Sequence, residues 1–529
     1  MTKEMPEEYL IQDALIVDGT GRPPRHGDIW VQNGRIHLDG PGPAHGDHII
    51  GADGWAVAPG FIDTHSHADL EPLLSDPLVH ESRITQGVTT EVTGNCGFSP
   101  FPIPPEAEAA ASQFLALVFG SSAATFPDLD AYSRRMTKAG LASNIAPLVG
   151  HGTLRAAALG YDNRPPSREE LATMSRALAG ALDAGAFGLS TGLCYTPATY
   201  ASPAEVAALG AVVAAAGGIY STHIRNETDQ TAASLSEAVD VSRATGVPVH
   251  VSHLKVAGRR NWGTASEVLK LLERARSSGI DVTADVYPYT AASTTLHSLL
   301  PPWTAEEGIE ALSANFRNPS WRQRVARDLE RGVPGWQNLG TAAGWDHVTL
   351  AASPARPELE GHSIAGLAQP GDSGPVDAIA RILDENRGKV VVVIEAMGDD
   401  DVTAFLTWEH SVVGSDGIPL PGRPHPRLTG TFPRVLGRYR EALGSLEAAV
   451  HRMTGASAAR FGIPGRGVIA DGYVADLVIF DPEAVIDRGT YADPWLRPVG
   501  IRDVLVAGKP AVLETEVVDG GAGVVLRRG

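Results

Sequence analysis

His65 and His67 stand one residue apart where the apolar run Ala58-Pro-Gly-Phe-Ile-Asp-Thr-His-Ser-His67 ends. Side chains on a strand alternate faces, so Asp63, His65 and His67 project to one side, and two imidazoles on one face can hold one metal ion. An isolated H-x-H is as often a pair of satisfied core or surface histidines. Here Pro59-Gly60 breaks the chain just before the run, Asp63 and Asp69 add carboxylates beside it, and further chemistry-bearing residues follow at the ends of later strand-like runs. Cys96 closes Glu91-Val-Thr-Gly-Asn-Cys96, His223 lies in Tyr220-Ser-Thr-His-Ile-Arg225, and His253 lies in His250-Val-Ser-His-Leu-Lys255. Asp416 sits in Gly414-Ser-Asp-Gly417, where glycines let the backbone approach an ion closely. A carboxylate placed there can take a proton from an attacking water and return it to a leaving group; a solvated turn aspartate is the competing reading.

Other residues have narrower readings. Lys255 is two residues past His253, so on a strand both point the same way, and a cation there suits a substrate carboxylate. His250 is offset by an odd number from His253 and is expected to face outward in a structural role. Asp63 reads as support for His65, Asp285 as lying deeper on its strand, and Cys194 as an ordinary thiol. His151, in Val149-Gly-His-Gly-Thr-Leu-Arg155, ends a strand without an evident role.

These residues need a scaffold that brings many strand ends together. From residue 56 to about 290, strand-like and helix-like runs alternate, as parallel α/β architecture requires. Seven strand ends carry polar residues, and an eighth, Ser411-Val-Val-Gly-Ser-Asp-Gly417, comes much later. Polar residues at nearly every strand end fit a (β/α)8 barrel with its site at that face. A doubly wound sheet would gather them at one switch point, and no G-x-G-x-x-G turn is present. The barrel is expected over 58–465. Residues of about 291–370 are too many for one crossover and read as an inserted subdomain, either bulk or a wall over the barrel mouth. Strand signals at both ends, including Asn33-Gly34, suggest that 1–57 and 466–529 pair into one small β-sandwich domain.

Composition bounds the function. The chain has 529 residues, 43% hydrophobic and 20% charged, an ordinary globular balance. A net charge of −19 argues against nucleic acid and anionic membranes as partners. No run is apolar enough to span a bilayer, and the N-terminal run Met1 to Leu10 lacks a secretory pattern, so the expected compartment is the cytoplasm. Two cysteines cannot form a disulfide framework and are expected to be reduced thiols.

Taken together, Ala58-Pro-Gly-Phe-Ile-Asp-Thr-His-Ser-His67, Gly87-Val-Thr-Thr-Glu-Val-Thr-Gly-Asn-Cys-Gly97, Ser221-Thr-His-Ile-Arg225, Val251-Ser-His-Leu-Lys255, Val412-Val-Gly-Ser-Asp-Gly417 and His425-Pro-Arg-Leu-Thr-Gly-Thr-Phe-Pro-Arg434 resemble the N-acyl-D-amino-acid deacylases (D-aminoacylases) of the amidohydrolase superfamily, over essentially the whole chain. Many amidohydrolases bridge two metals with a carboxylated lysine on the fourth strand, but Gly185-Ala-Phe-Gly-Leu-Ser-Thr-Gly-Leu193 has none, and a second-strand cysteine is the deacylase alternative. The resemblance implies a zinc-dependent hydrolase of linear N-acyl-D-amino acids. It implies a tight zinc at Cys96, His223 and His253, and a weaker second position at His65, His67 and Asp416 sharing Cys96. Asp416 would be the general base and acid. Tyr195 and Tyr287 or Tyr289 would join Lys255 on the substrate carboxylate, each with packing as its alternative. A cyclic-amide hydrolase of the dihydroorotase or hydantoinase type is the nearest alternative function, and a non-catalytic metal-binding barrel the next. Arg423, Arg427 and Arg434 follow the eighth strand; one of them near the pocket would favour acidic side chains, the equal alternative being that all three are solvated or pair with local carboxylates, and Arg225 is a fallback for the carboxylate.

Overall fold

The computed structural model describes residues 8–38, 49–74, 76–119, 124–306, 308–372, 374–518 and 521–529. Most of the N-terminal run read for a secretory pattern, residues 1–7, lies outside the described residues.

Eight parallel staves form the centre: β1 (Phe61–Asp63), β2 (Val88–Thr93), β3 (Asn144–Pro147, resumed at Val149–Gly150), β4 (Gly188–Gly192), β5 (Ile219–His223), β6 (Val249–Val251), β7 (Val282–Val286) and β8 (Ser411–Val413). Each pairs in parallel with the next, β3 joining β2 through its first segment and β4 through its second. β8 returns to β1 through Thr64 N donating to Val413 O (3.3 Å), Asp416 N donating to His65 O (2.7 Å) and a bridge between Ser66 and Gly417. Every residue of β1, β2, β4, β5 and β6 is buried, which explains why these strands read as continuous β-branched and small runs without polar alternation. The helices between them start where the sequence supplies caps. Ser167 and Glu170 form a capping box before Arg168–Asp183, and Ser202 caps Pro203–Ala215 with proline in its first turn.

The two chain ends share one nine-stranded sheet. Ala56–Pro59 pairs antiparallel with Leu477–Phe480, and an Arg35–Val474 bridge curls the far edge back. The hairpin Arg25–Gln32 to Arg35–His37 turns at Asn33-Gly34, both at positive φ (51° and 73°), the left-handed pair that an Asn-Gly turn favours. Ala56–Pro59 passes through Gly60 directly into β1. A Cβ at Gly60 would lie 2.1 Å from Thr89 Oγ1, so glycine allows the two sheets to meet there.

Between β7 and β8 the chain builds a three-stranded antiparallel sheet, with Val391–Glu395 paired between Ala291–Thr295 and Val348–Ala352. The excursion therefore continues to Glu395 rather than ending near 370. It has its own apolar cluster, including Leu312, Val325, Leu350, Ile379 and Val392.

Candidate metal centre

The C-terminal ends of the staves converge on Cys96 Sγ. It lies 3.3 Å from His65 Nε2, 3.4 Å from His253 Nε2 and 3.7 Å from His223 Nδ1. Asp416 Oδ1 lies 3.3 Å from His67 Nε2 and 3.6 Å from His65 Nε2. The donor atoms therefore fall into two groups that share the thiol: Cys96, His223 and His253, and Cys96, His65, His67 and Asp416. Ligands about 2.0–2.3 Å from one tetrahedral zinc stand roughly 3.3–3.8 Å from each other, and these separations match that spacing. All six residues are buried.

Backbone geometry sets these positions. Cys96, His253 and Asp416 all have left-handed φ (52°, 36° and 50°), a conformation that non-glycine residues rarely adopt and that concentrates at functional sites. Gly94, two residues before Cys96, also has positive φ (73°), and a Cβ there would meet Leu148 O at 2.1 Å. Strand alternation is thus not what orients His253 and Lys255: β6 ends at Val251, and the left-handed turn at His253 brings both side chains to the site. His65 and His67 likewise lie beyond the end of β1.

The electrostatics suit a cation. Burial holds His223 well below its ordinary pKa, with His253 and Lys255 opposing protonation further, and burial with Lys255 also lowers His253; both rings are neutral and keep a lone pair. Burial, and then the Asp416 charge, push the Cys96 thiol up, so a thiolate there requires a compensating cation. Burial opposes ionisation of Asp416, but Arg427, with His253 and His67, outweighs it and holds the carboxyl well below the usual range. Arg427 Nη1 is 2.9 Å from Asp416 Oδ2.

The space in front of His223 and His253 is lined by Tyr195, Glu227, Lys255, Tyr287 and Asp416, and Cys96 and His67 line a second space that shares Tyr195 and Asp416 with it. Ser293, Thr294, Leu299, Gln337 and Leu339 of the insert roof the first space, so the insert is a wall of the site rather than bulk alone. A cleft of about 930 Å³ between the insert helices Pro319–Arg331 and Pro375–Glu385 holds none of the donor residues.

Several expectations are corrected. Tyr289 is turned away from the site: its N–H bonds Tyr287 O (3.0 Å), a tight turn that ends the alternation, and its hydroxyl donates to Pro426 O. Tyr195 and Tyr287 do face the cavity. Lys255 Nζ reaches the cavity but is 2.6 Å from Glu227 Oε1, a partner the sequence reading did not find. Asp285, read as lying deeper on its strand, contacts the donor residues directly. Its Oδ1 accepts from His253 N (2.8 Å), and its Oδ2 lies 3.3 Å from His65 Nδ1 and 3.0 Å from His250 Nε2. His250 is consequently buried and tied to His65 through that carboxylate, rather than facing outward. Cys194 is no ordinary thiol, since its Sγ lies 3.0 Å from His223 Nε2. Asp63 supports His65 by accepting its N–H (3.1 Å), and burial, then the Glu91 charge, raise its pKa to about 7. His151 belongs to a separate buried network with Glu205 (2.9 Å) and Arg155.

Of Arg225, Arg423, Arg427 and Arg434, it is Arg427 that reaches the centre. Arg434 pairs with Asp487, Arg225 with Glu237, and Arg423 is exposed. One signal could have exposed the missed carboxylate: Glu227 follows His223 by four residues.

The Amidohydrolase family model matches residues 48–512, and the chain belongs to that family. It is 37% identical over 504 residues to the N-acyl-D-glutamate deacylase of Alcaligenes xylosoxydans xylosoxydans, covering 95% of this chain and 93% of that one. It is 36% identical over 526 residues to the D-aminoacylase of the same organism, covering 99% and 98%. The crystal structure of N-acyl-D-glutamate deacylase from Bordetella bronchiseptica, complexed with zinc and a phosphonate mimic of the tetrahedral intermediate, superposes with a TM-score of 0.83 at 36% identity, covering 99% of this chain and 100% of that one. A dihydropyrimidinase from Brevibacillus agri, at 14% identity and a TM-score of 0.56, shares the fold alone.

Proposed function

We propose that this chain is a zinc-dependent hydrolase that removes the acyl group from N-acyl-D-amino acids. The observation that carries the reading is the thiol of Cys96 standing 3.3–3.7 Å from three imidazole nitrogens, with Asp416 beside them at the rim of a roofed cavity. The names of the relatives support the D-amino-acid substrate. Cys96, His223 and His253 would hold the tight zinc, and His65, His67 and Asp416 would form a weaker second position with Cys96. Zinc so held supplies Lewis acidity toward an amide carbonyl and makes a neighbouring water more acidic.

The chain's own groups perform the rest. Asp416 takes a proton from the attacking water and delivers it to the leaving nitrogen. Arg427 fixes its Oδ2 and keeps it ionised, and its Oδ1 stays with His67. Lys255, Tyr195 and Tyr287 orient the substrate carboxylate from across the cavity. An ammonium has three donors, and Glu227 occupies only one of them. The insert roof excludes water, so these charges act in a low-dielectric space.

The cyclic-amide alternative lacks its usual fourth-strand lysine, because β4 reads Gly-Leu-Ser-Thr-Gly. A non-catalytic barrel has no reason to retain six buried donors in two matched groups. The substrate is a small molecule, and among the described residues no helix is long and apolar enough to cross a membrane; we place the enzyme in the cytoplasm. The direct test is a panel of N-acyl-D-, N-acyl-L- and cyclic-amide substrates. Turnover of the D-acyl compounds alone supports the reading, and preferential opening of dihydropyrimidines or hydantoins refutes it.

Lys255→Met should raise KM for N-acyl-D-amino acids by about 10- to 100-fold, the ~1.5–3 kcal/mol of a charge-assisted hydrogen bond, and leave an acyl amine without the carboxylate nearly unaffected. Equal losses on both substrates would move the carboxylate role to Arg427.

A further inference from the structure

The two histidines of the tight position present opposite nitrogens to Cys96, His223 its Nδ1 and His253 its Nε2, and one carboxylate stands behind both rings. Glu227 Oε1 is 3.1 Å from His253 Nδ1, and Glu227 Oε2 is 3.5 Å from His223 Nε2. Resting on the metal-centre reading above, we propose that Glu227 is the positioning residue of the Cys96, His223 and His253 site, one buried carboxylate that fixes ring orientation and tautomer in both histidines.

A ring nitrogen that ligates a metal must present a lone pair, so the proton of a neutral imidazole sits on the other nitrogen. For His253 that places the N–H on Nδ1, facing Glu227 Oε1. For His223 it places the N–H on Nε2, facing Glu227 Oε2 and the Cys194 sulfur at 3.0 Å. An ionised carboxylate, acceptor-only on both oxygens, serves both rings; an amide has only one oxygen to offer. Lys255 Nζ lies 2.6 Å from His253 Nδ1 as well as 2.6 Å from Glu227 Oε1. With the proton on Nδ1 the ring and the ammonium are both donors, so this tautomer requires Lys255 to give up the Nδ1 contact and keep its bond to Glu227, where the ammonium balances the buried charge.

Glu227 is itself held in place. Its backbone N–H donates to Gln337 Oε1 (3.0 Å), its carbonyl accepts from Ala257 N (2.7 Å), and it is 4% exposed. Gln337 belongs to the insert, so the roof over the cavity also sets the carboxylate behind the histidines. Partners of this kind orient metal-bound imidazoles and raise their basicity, and their loss typically weakens metal affinity by about 10- to 100-fold.

The test uses full-length protein, zinc competition against a chromophoric chelator, and the visible absorption of Co2+ bound in place of zinc. Glu227→Gln should weaken zinc binding by about 10- to 100-fold and alter the Co2+ spectrum, while circular dichroism stays that of a folded barrel. Because Gln leaves Lys255 without its counter-charge, Glu227→Gln/Lys255→Met is the second variant. It should recover any lost thermal stability and keep the weakened zinc affinity and the altered spectrum. Wild-type affinity and spectrum in either variant overturn the proposal and leave the metal-centre reading standing. A wild-type protein that binds neither zinc nor Co2+ overturns that reading, and this proposal with it.

Discussion

Cys96→Ala protein should fold, lose its tightly held zinc and show no measurable deacylation. The thiol is the one atom common to both donor groups, so its removal leaves each group short of a ligand at once. A thiolate is also the softest and strongest zinc donor in the set, and affinity should fall by on the order of 10²-fold or more, beyond what an outer partner costs. The fold should tolerate the change. Deleting one buried sulfur leaves a small cavity costing roughly 1 kcal/mol, and no backbone hydrogen bond depends on it. Zinc content by atomic absorption, with circular dichroism on the same sample, checks both halves. A variant that retained zinc and turnover would remove Cys96 from the ligand set.

Asp416→Asn should behave differently. The tight position, Cys96, His223 and His253, does not include this carboxylate, so about one zinc per chain should remain. Turnover should fall ~10²- to 10⁴-fold or more, because the amide cannot accept and return the proton. The substitution also strips Arg427 of its anionic partner at 2.9 Å, so part of the loss belongs to a misplaced arginine. Adding Arg427→Met to Asp416→Asn separates the two effects: if proton transfer dominates, the double variant is no slower than the single one. Near-normal kcat in Asp416→Asn would make Asp416 a turn residue after all.

The sequence made the site legible wherever a residue's type alone limits its chemistry. The paired histidines, the strand-end cysteine, His223, His253 and the Gly-Ser-Asp-Gly aspartate were each marked by position in an alternating α/β pattern, and the structure brings them together. The barrel was legible for the same reason, since eight buried strands with polar termini leave few other architectures. What was not legible depends on backbone direction after a strand ends. The resemblance leaves Tyr287 and Tyr289 as alternatives, and the tight turn between them separates the two by carrying Tyr289 away from the site. His253 and Lys255 reach the site through a left-handed residue rather than by the alternation that suggested them. Glu227 went unread although it follows His223 by four residues, and Asp285 was read only as lying deeper on its strand, because spacing alone does not say which ring a carboxylate faces; folding does. Arg427 was one of three arginines with equal claims, and its selection comes from the helix Arg427–Arg434, which starts beside β8 and points its first side chain at Asp416.

Whether one zinc at the Cys96 position serves the hydrolysis of N-acyl-D-amino acids is decided by titrating zinc into chelator-stripped protein. Turnover of N-acetyl-D-methionine and its L-enantiomer is followed at each addition. No activity is expected without metal, followed by a linear rise in D-substrate turnover that levels at about one zinc per chain, with no L-substrate turnover at any zinc level. Full D-substrate turnover with the chelator still in excess, or equal turnover of both enantiomers, would contradict the proposed function.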